Sequence, residues 1–321
     1  RDGRLMALVA MDSLTREVRP LSGRISGGRI RWTPPQGAWK LLCFMCVKDG
    51  DPNVDYLDPD AVQLFVEDTH QRYYDRFPEA FGEVITETFC DEPTLYRAQG
   101  RIWTERFNER FEAAHGFSPE ALYPALWYDT GPGTAAARNY LFGFRARLYA
   151  EGFMKTIHDW AAAHGIRSTG HQDQEEVLNP VSVAGDLMLC GKYMDVPGID
   201  KIGGDRPAEL FYKVVSSSAA NWDKRLVMSE TFGAMGNIPV RELYTIAMEQ
   251  YTKGINQLIP HAVWYNDADV TFLPELSYRN PLYNEALPAF NRFLARLNYL
   301  LQPEGRTVAD IAMLYPIETL Q

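Results

Sequence analysis

The chain has 321 residues, 46% of them hydrophobic and 23% charged, and carries a formal net charge of −10. That balance is globular, with enough chain for a large core. The acidic excess, without any Lys/Arg run, argues against nucleic acid or an anionic membrane as partner, and no stretch is long enough for a transmembrane helix.

Residues 1–38 are short-stranded and punctuated by Ser22-Gly23, Gly27-Gly28 and Pro34-Pro35-Gln36-Gly37, with Arg29-Ile30-Arg31-Trp32 alternating like an exposed strand. They read as the end of a β-rich flanking domain. From Trp39 the rhythm changes to strand-like runs alternating with helical patterns. Trp39–Val47 reads as a strand. A helix begins at Asp58-Pro59-Asp60, an Asp N-cap with Pro at the first helical position. The strand Val84–Phe89 follows, then a helical stretch from Trp103 to Trp127 broken at Gly116-Phe117-Ser118-Pro119. The longest helix runs over Ala135–His164, with Leu141, Phe144, Leu148 and Phe153 at helical spacing, and stops at Gly165. Further strands are expected at Ile166–Thr169, Leu187–Val196, Leu226–Ser229, Gln257–Trp264 and Val308–Tyr315. Helices are expected over Pro207–Ala220, Val240–Gly254 and Asn284–Leu301.

Strands alternating with helices of this length indicate βαβ units and a parallel sheet. No G-x-G-x-x-G or G-x-x-x-x-G-K-[ST] turn is present to make an open nucleotide-binding sheet, whereas polar residues follow many different strands, as in a barrel. The expected fold is α/β, a (β/α)8-type TIM barrel, incomplete or irregular, over 39–304, with 305–321 as the final strand or the start of a following domain.

Two carboxylates stand out. Val84-Ile85-Thr86-Glu87-Thr88-Phe89-Cys90-Asp91-Glu92-Pro93 and Leu226-Val227-Met228-Ser229-Glu230 each run apolar and β-branched and then present an acid at a strand end. Side chains at the C-terminal strand ends of a barrel line its active site, and two carboxylates in one pocket are the chemistry of glycoside hydrolysis. Asp91 and Glu92 are neighbours, so only one can face the pocket. Glu87, an acid within the strand, needs a partner. Gly170-His171-Gln172-Asp173 and Asp195 also follow predicted strands, as does the His261, Trp264, Tyr265 group. His171, Asp173, Asp195, His261, Trp264 and Tyr265 are the candidate substrate contacts, and the aromatic share of 12% suits sugar faces. A metal-dependent isomerase or lyase is an alternative that would require Asp173, Asp195 and His171 to converge. No G-x-S-x-G or H-E-x-x-H supports a serine or zinc hydrolase. The four cysteines read as small core residues; Cys43 and Cys46 lie in a strand and point to opposite faces.

The succession Gln36-Gly37-Ala38-Trp39-Lys40, Val54-Asp55-Tyr56-Leu57, Phe89–Pro93, Gly170-His171, Gly185-Asp186, Met194–Asp200, Ser217–Ala220, Ser229–Gly233, Gly254-Ile255-Asn256 and Ala309–Pro316 resembles the α-L-rhamnosidase glycoside hydrolases of family 106, over nearly the whole chain. Cys90 departs from the pattern, where Thr or Ser is expected. The resemblance implies a (β/α) barrel between β-sandwich domains, an inverting two-carboxylate mechanism on a terminal sugar of a plant or complex polysaccharide, and calcium near the substrate. The two strand-end acids give Glu92 as the general acid and Glu230 as the base or, in a retaining enzyme, the nucleophile, and the resemblance makes the chain a catalytic core within a longer, periplasmic or extracellular protein whose signal segment would precede Arg1. The alternative is a barrel that binds carbohydrate without cleaving it.

Overall fold

The computed structural model describes residues 3–320 except 49, 51–52, 96, 174, 176–180, 182, 184, 204–210, 267, 304 and 306–307. Strands β1 (Gly3–Asp12), β2 (Val18–Pro20), β3 (Ile25–Ser26), β4 (Arg29–Ile30) and β5 (Trp39–Val47) form the N-terminal part. β1 is the centre of an antiparallel sheet, ordered β2-β1-β5, and Gly3–Asp12 pairs with Trp39–Val47 along its length. Trp39–Val47 therefore belongs to this sheet and not to the barrel, and the β-rich part runs through residue 47 rather than ending at 38. One face of the sheet presents Met6, Ala7, Val9 and Phe44 to the core, where Phe44 meets Tyr123 and Trp127. Cys43, on the other face, is exposed rather than core; Cys46 and Cys90 are half-buried, Cys190 is buried, and all four are free.

Five short parallel strands follow: β6 (Glu87–Cys90), β7 (Arg167–Gly170), β8 (Gly198–Lys201), β9 (Met228–Thr231) and β10 (Gln257–Pro260). β6 pairs with β7, and β8-β9-β10 form a three-stranded sheet. A parallel bridge from Thr169 to Val196 joins the two. Among the described residues the sheet does not close on itself, so the architecture is α/β with a parallel array and not a demonstrated complete barrel. Still, the first and last strands approach: Gln257 Nε2 donates to Glu87 Oε2 at 3.3 Å. The acid within β6 has its partner in Arg167, 2.6 Å away on the next strand.

Glycine sets the spacing where three strands crowd together. Gly170 has φ +132°, and a Cβ there would lie 2.2 Å from the Cys90 carbonyl oxygen. A Cβ on Gly198 would lie 2.3 Å from the Gly170 carbonyl oxygen and from the Met228 methyl. Only glycine permits this approach.

The helical expectations hold in their main parts. Asp58 caps Pro59–Asp68, accepting from Asp60 N. The long helix runs Thr134–Tyr149, passes through a π-turn at Ala150–Met154, and continues as Lys155–Ala163, with Gly165 left-handed just beyond. Gly116 ends the helix Phe107–His115, and Ser118 caps the 3-10 turn Pro119–Leu126. Helices Phe211–Asn221, Val240–Thr252 and Leu287–Leu301 cover the rest; residues 207–210 of the expected helix lie outside the described residues. Two expected strands differ. Leu187–Val196 begins as the helix Leu187–Cys190, because Asp186 accepts from Leu189 N as an N-cap, and β8 starts only at Gly198. A short apolar run cannot by itself distinguish the two forms. Val308–Tyr315 is not a strand: among the described residues no neighbour pairs with it, and Val308, Ile311, Met313 and Leu314 are exposed. Among the described residues no helix is long and apolar enough to cross a membrane.

Among the described residues two large apolar cores hold these parts together, beside a small third cluster around Leu187 and Val214. One packs the N-terminal sheet on the helices flanking β6 and β7, with Phe107, Phe111, Phe144, Tyr149 and Trp160 among its members. The other gathers Ile199, Tyr212, Phe232, Ile246, Leu258 and Phe290 around β8–β10.

Candidate active site

In the β8-β9-β10 ladder Glu230 sits between Asp200 and Ile259. Side chains at one register position of a parallel sheet share a face, so Asp200 and Glu230 lie side by side. His171 follows β7, and its main-chain N–H donates to the carbonyl of Cys90, at the end of β6. The C-terminal ends of β6, β7, β8 and β9 thus bring Asp91, Glu92, His171, Asp200 and Glu230 to one rim.

His171 is the hub. It is buried, with Nδ1 3.0 Å from the Gln172 carbonyl and Nε2 3.0 Å from Oε2 of Glu230. A carbonyl and a carboxylate accept only, so both ring nitrogens must donate, and the ring is an imidazolium. Glu175 Oε1 lies 3.8 Å from Nδ1, and Asp91 Oδ1 3.7 Å from Nε2. Burial opposes the charge, but the Glu230 hydrogen bond and the Glu175 carboxylate outweigh it and raise the His171 pKa to about 10.

That cation separates the acids into two kinds. Its hydrogen bond holds the Glu230 carboxyl below the usual carboxylate range against the effect of burial, with further help from the charge of His171 and from His261. Glu92 is pushed up instead, by desolvation first, then by Asp173 and Asp91, with Glu230 adding to the repulsion. Asp200 is raised to about 7 by burial, despite His171 and with Glu230 and Glu92 opposing its ionisation. Its buried Oδ1 has no hydrogen-bond partner among the described residues. Glu175, fully buried behind His171, is raised well above the ordinary value by desolvation; its Oε1 accepts from the Asp200 N–H.

Of the eight candidates read from sequence, Glu92, Glu230, His171 and Asp173 are brought together. His261 stands at the end of β10, its N–H donating to the Thr231 carbonyl and its ring 5.3 Å from that of Trp264. Its Nδ1 is buried and unpartnered among the described residues. The Trp264 carbonyl is fastened by Arg279 at 2.7 Å. Tyr265 is fully exposed, at 101%. Asp195 lies elsewhere: it precedes β8, level with Ser168, and faces the helix layer, where its carboxylate accepts from Ser168 N–H at 2.9 Å and pairs with His158 at 3.1 Å. Asp173, Asp195 and His171 therefore do not converge, and this set does not make the metal site that a metal-dependent isomerase or lyase would need. Residues 174 and 176 of the polar run after β7 lie outside the described residues. Asp200 and Glu175 were not among the candidates; the alternation Gly198-Ile199-Asp200-Lys201 was the signal for the former.

For the calcium implied by the resemblance, the described residues offer no carboxylate-based cluster. Among the described residues no three His, Cys, Asp or Glu side chains are placed to share an ion, and the central positive charge is the His171 ring.

A rim of acids with opposed ionisation suits acid–base cleavage of a glycosidic bond. Among solved structures the chain is similar to a rhamnosidase from Novosphingobium sp. PP1Y, with a TM-score of 0.67 at 19% identity over 93% of this chain; that likeness is one of fold, and the chain spans 31% of that protein's length. No curated protein matches it. The sequence model described as alpha-L-rhamnosidase, glycoside hydrolase family 106, matches residues 13–319. The chain belongs to that family.

Proposed function

We propose that the chain is the catalytic part of an inverting exo-glycosidase that removes a terminal α-L-rhamnosyl unit from a plant or complex polysaccharide. The observation that carries this reading is the split between the two strand-end acids: Glu92 pushed towards its protonated form and Glu230 held ionised by His171. Pairs whose surroundings drive them apart mark acid and base roles.

In this reading the Glu92 carboxyl gives its proton to the glycosidic oxygen as the C–O bond breaks. Water attacks the anomeric carbon from the opposite face, and the Glu230 carboxylate takes the proton that the water releases. His171 keeps Glu230 ionised and aimed; burial first, then the charges of Asp173 and Asp91, keep Glu92 protonated to higher pH. The five parallel strands form one arc of a (β/α) barrel, a reading supported by the Gln257–Glu87 contact between first and last strands. The 31% span of the similar rhamnosidase supports flanking domains on the same polypeptide.

The test is Glu92→Gln and Glu230→Gln in the full chain, assayed on aryl α-L-rhamnosides. Each should lower turnover by about 10²-fold or more with unchanged circular dichroism. Near-normal activity of Glu230→Gln would sink the assignment. Sugar binding by calorimetry with no release from the parent chain would instead favour a binding barrel.

A further inference from the structure

The helix Thr134–Tyr149 carries two side chains, one turn apart, that the proposed chemistry does not use. Arg145 and Tyr149 are both at 0% exposure. At i and i+4 they share one helix face. The Tyr149 hydroxyl donates at 2.6 Å to the carbonyl of Pro93, the residue after Glu92. Arg145 Nη1 donates to the carbonyls of Gly100 at 2.6 Å and Ile102 at 3.4 Å, and Nη2 to that of Val181. Val183, beside it, accepts from Leu95 N–H at 2.7 Å and from the Thr94 hydroxyl at 3.4 Å. The chain leaving β6 with Glu92 is thus fastened at 93, 94, 95, 100 and 102. Each fastening runs to this helix or to the 181–183 segment that the helix also grips.

A guanidinium is an expensive way to fill a dry interior. Burial lowers Arg145 to about 9, and an apolar side chain of similar volume would pack there without that desolvation cost. What arginine adds is a rigid fork that reaches carbonyls of two separate segments at once. Glu92 needs an outside hold. Its backbone is left-handed, with φ +43°, which is strained for a residue with a Cβ. Its side chain is exposed, and its acidic neighbours repel it.

We infer that Tyr149 and Arg145 are positioning residues for Glu92, setting the chain at 93–95 and 100–102 from behind so that the acid's proton is directed at the leaving oxygen. The inference rests on the reading of Glu92 as general acid. It predicts an effect that depends on the leaving group, because a poor leaving group needs the proton and an activated one does not.

The experiment measures kcat and KM for an alkyl and a dinitrophenyl α-L-rhamnoside with the parent chain, Tyr149→Phe, Glu92→Gln and the double variant, beside Tm. Tyr149→Phe removes only the hydroxyl. It should lower kcat on the alkyl glycoside by about tenfold, leave the dinitrophenyl substrate within about twofold, and leave KM within about twofold. In the Glu92→Gln background it should add nothing. Arg145→Lys, which keeps the charge but not the fork, should show the same pattern if it folds. Equal losses on both substrates, or none, would overturn the positioning role while a leaving-group-dependent Glu92→Gln kept the acid assignment. A fully active Glu92→Gln would overturn both.

Discussion

Nε2 of His171 lies 3.0 Å from a carboxylate oxygen of Glu230 while its Nδ1 faces a carbonyl at the same distance. The ring is therefore a built-in cation, and Glu230 owes its ionisation first to the hydrogen bond from it. The pH dependence of turnover should follow. If Glu230 is the base and Glu92 the acid, turnover needs the first ionised and the second protonated, so the profile should be a bell whose acid limb is shifted down and whose basic limb is shifted up from the usual carboxylate range. His171→Asn removes the hydrogen bond and charge that depress Glu230, so the acid limb should move up in pH. An unmoved limb in kcat/KM would mean that His171 does not govern Glu230.

The same ring links folding to pH. Its folded pKa of about 10 exceeds the unfolded value of about 6.5. Its contribution is therefore complete below about pH 6.5 and is lost as pH rises towards 10, at up to about 1.4 kcal/mol per pH unit. Denaturant midpoints should fall more steeply between pH 7 and 10 for the parent chain than for His171→Asn. Parallel curves would show that the ring is neutral in the folded state.

Asp200 has its carboxyl raised to about 7, next to Glu230 in the ladder. Asp200→Asn imitates its protonated form. At pH 5 the variant should keep most of the parent turnover, and above pH 7, where only the parent gains a negative charge there, the two should separate. A large loss at pH 5 would give the carboxyl a role that an amide cannot fill.

Gly170 and Gly198 hold the strands at contact distance, so alanine at either should be severe. Gly170→Ala adds strain at φ +132° to a 2.2 Å clash with backbone, and a loss of about 3 kcal/mol or more in denaturant unfolding is expected. Gly116→Ala, also left-handed but with open space around it, should cost only about 1 kcal/mol. Comparable losses at the two sites would refute the close-approach argument.

Stereochemistry separates the two glycosidase geometries. If Glu230 activates water, the sugar first released from an α-linked substrate should be the β-anomer, seen by proton NMR before mutarotation. The α-anomer would mean retention and a nucleophilic carboxylate.

The strand-end acids were legible because a β-branched run that stops on a carboxylate is a local pattern, and Glu92, Glu230 and His171 each follow such a run directly. Asp200 was hidden by a shift in the strand. The more apolar stretch, Leu187–Val196, drew the assignment, yet Asp186 caps it into a helix and β8 lies just beyond. The shift also moved Asp195 from the presumed rim to the helix side of the sheet. Trp39–Val47 looked like the start of the alternating pattern because a strand's sequence does not name its partner; its pairing with β1 is a long-range contact. The roles of Arg145 and Tyr149 were not legible. Their side chains reach carbonyls 36 to 56 positions away, and a helix residue's sequence carries no mark of what lies across the interface.

The cluster at the strand ends also filters what can enter it. Asp91, Glu92, Asp173, Asp200 and Glu230 surround a single positive ring that is already committed to Glu230. A uronic acid would bring another carboxylate beside the ionised Glu230, whose cation is already engaged, and two like charges at about 4 Å in a partly desolvated cleft cost several kcal/mol. A neutral deoxy sugar brings hydroxyls that the same oxygens can accept from, and a methyl group that needs no partner. On the proposed reading, such a rim would disfavour an acidic sugar before shape is consulted.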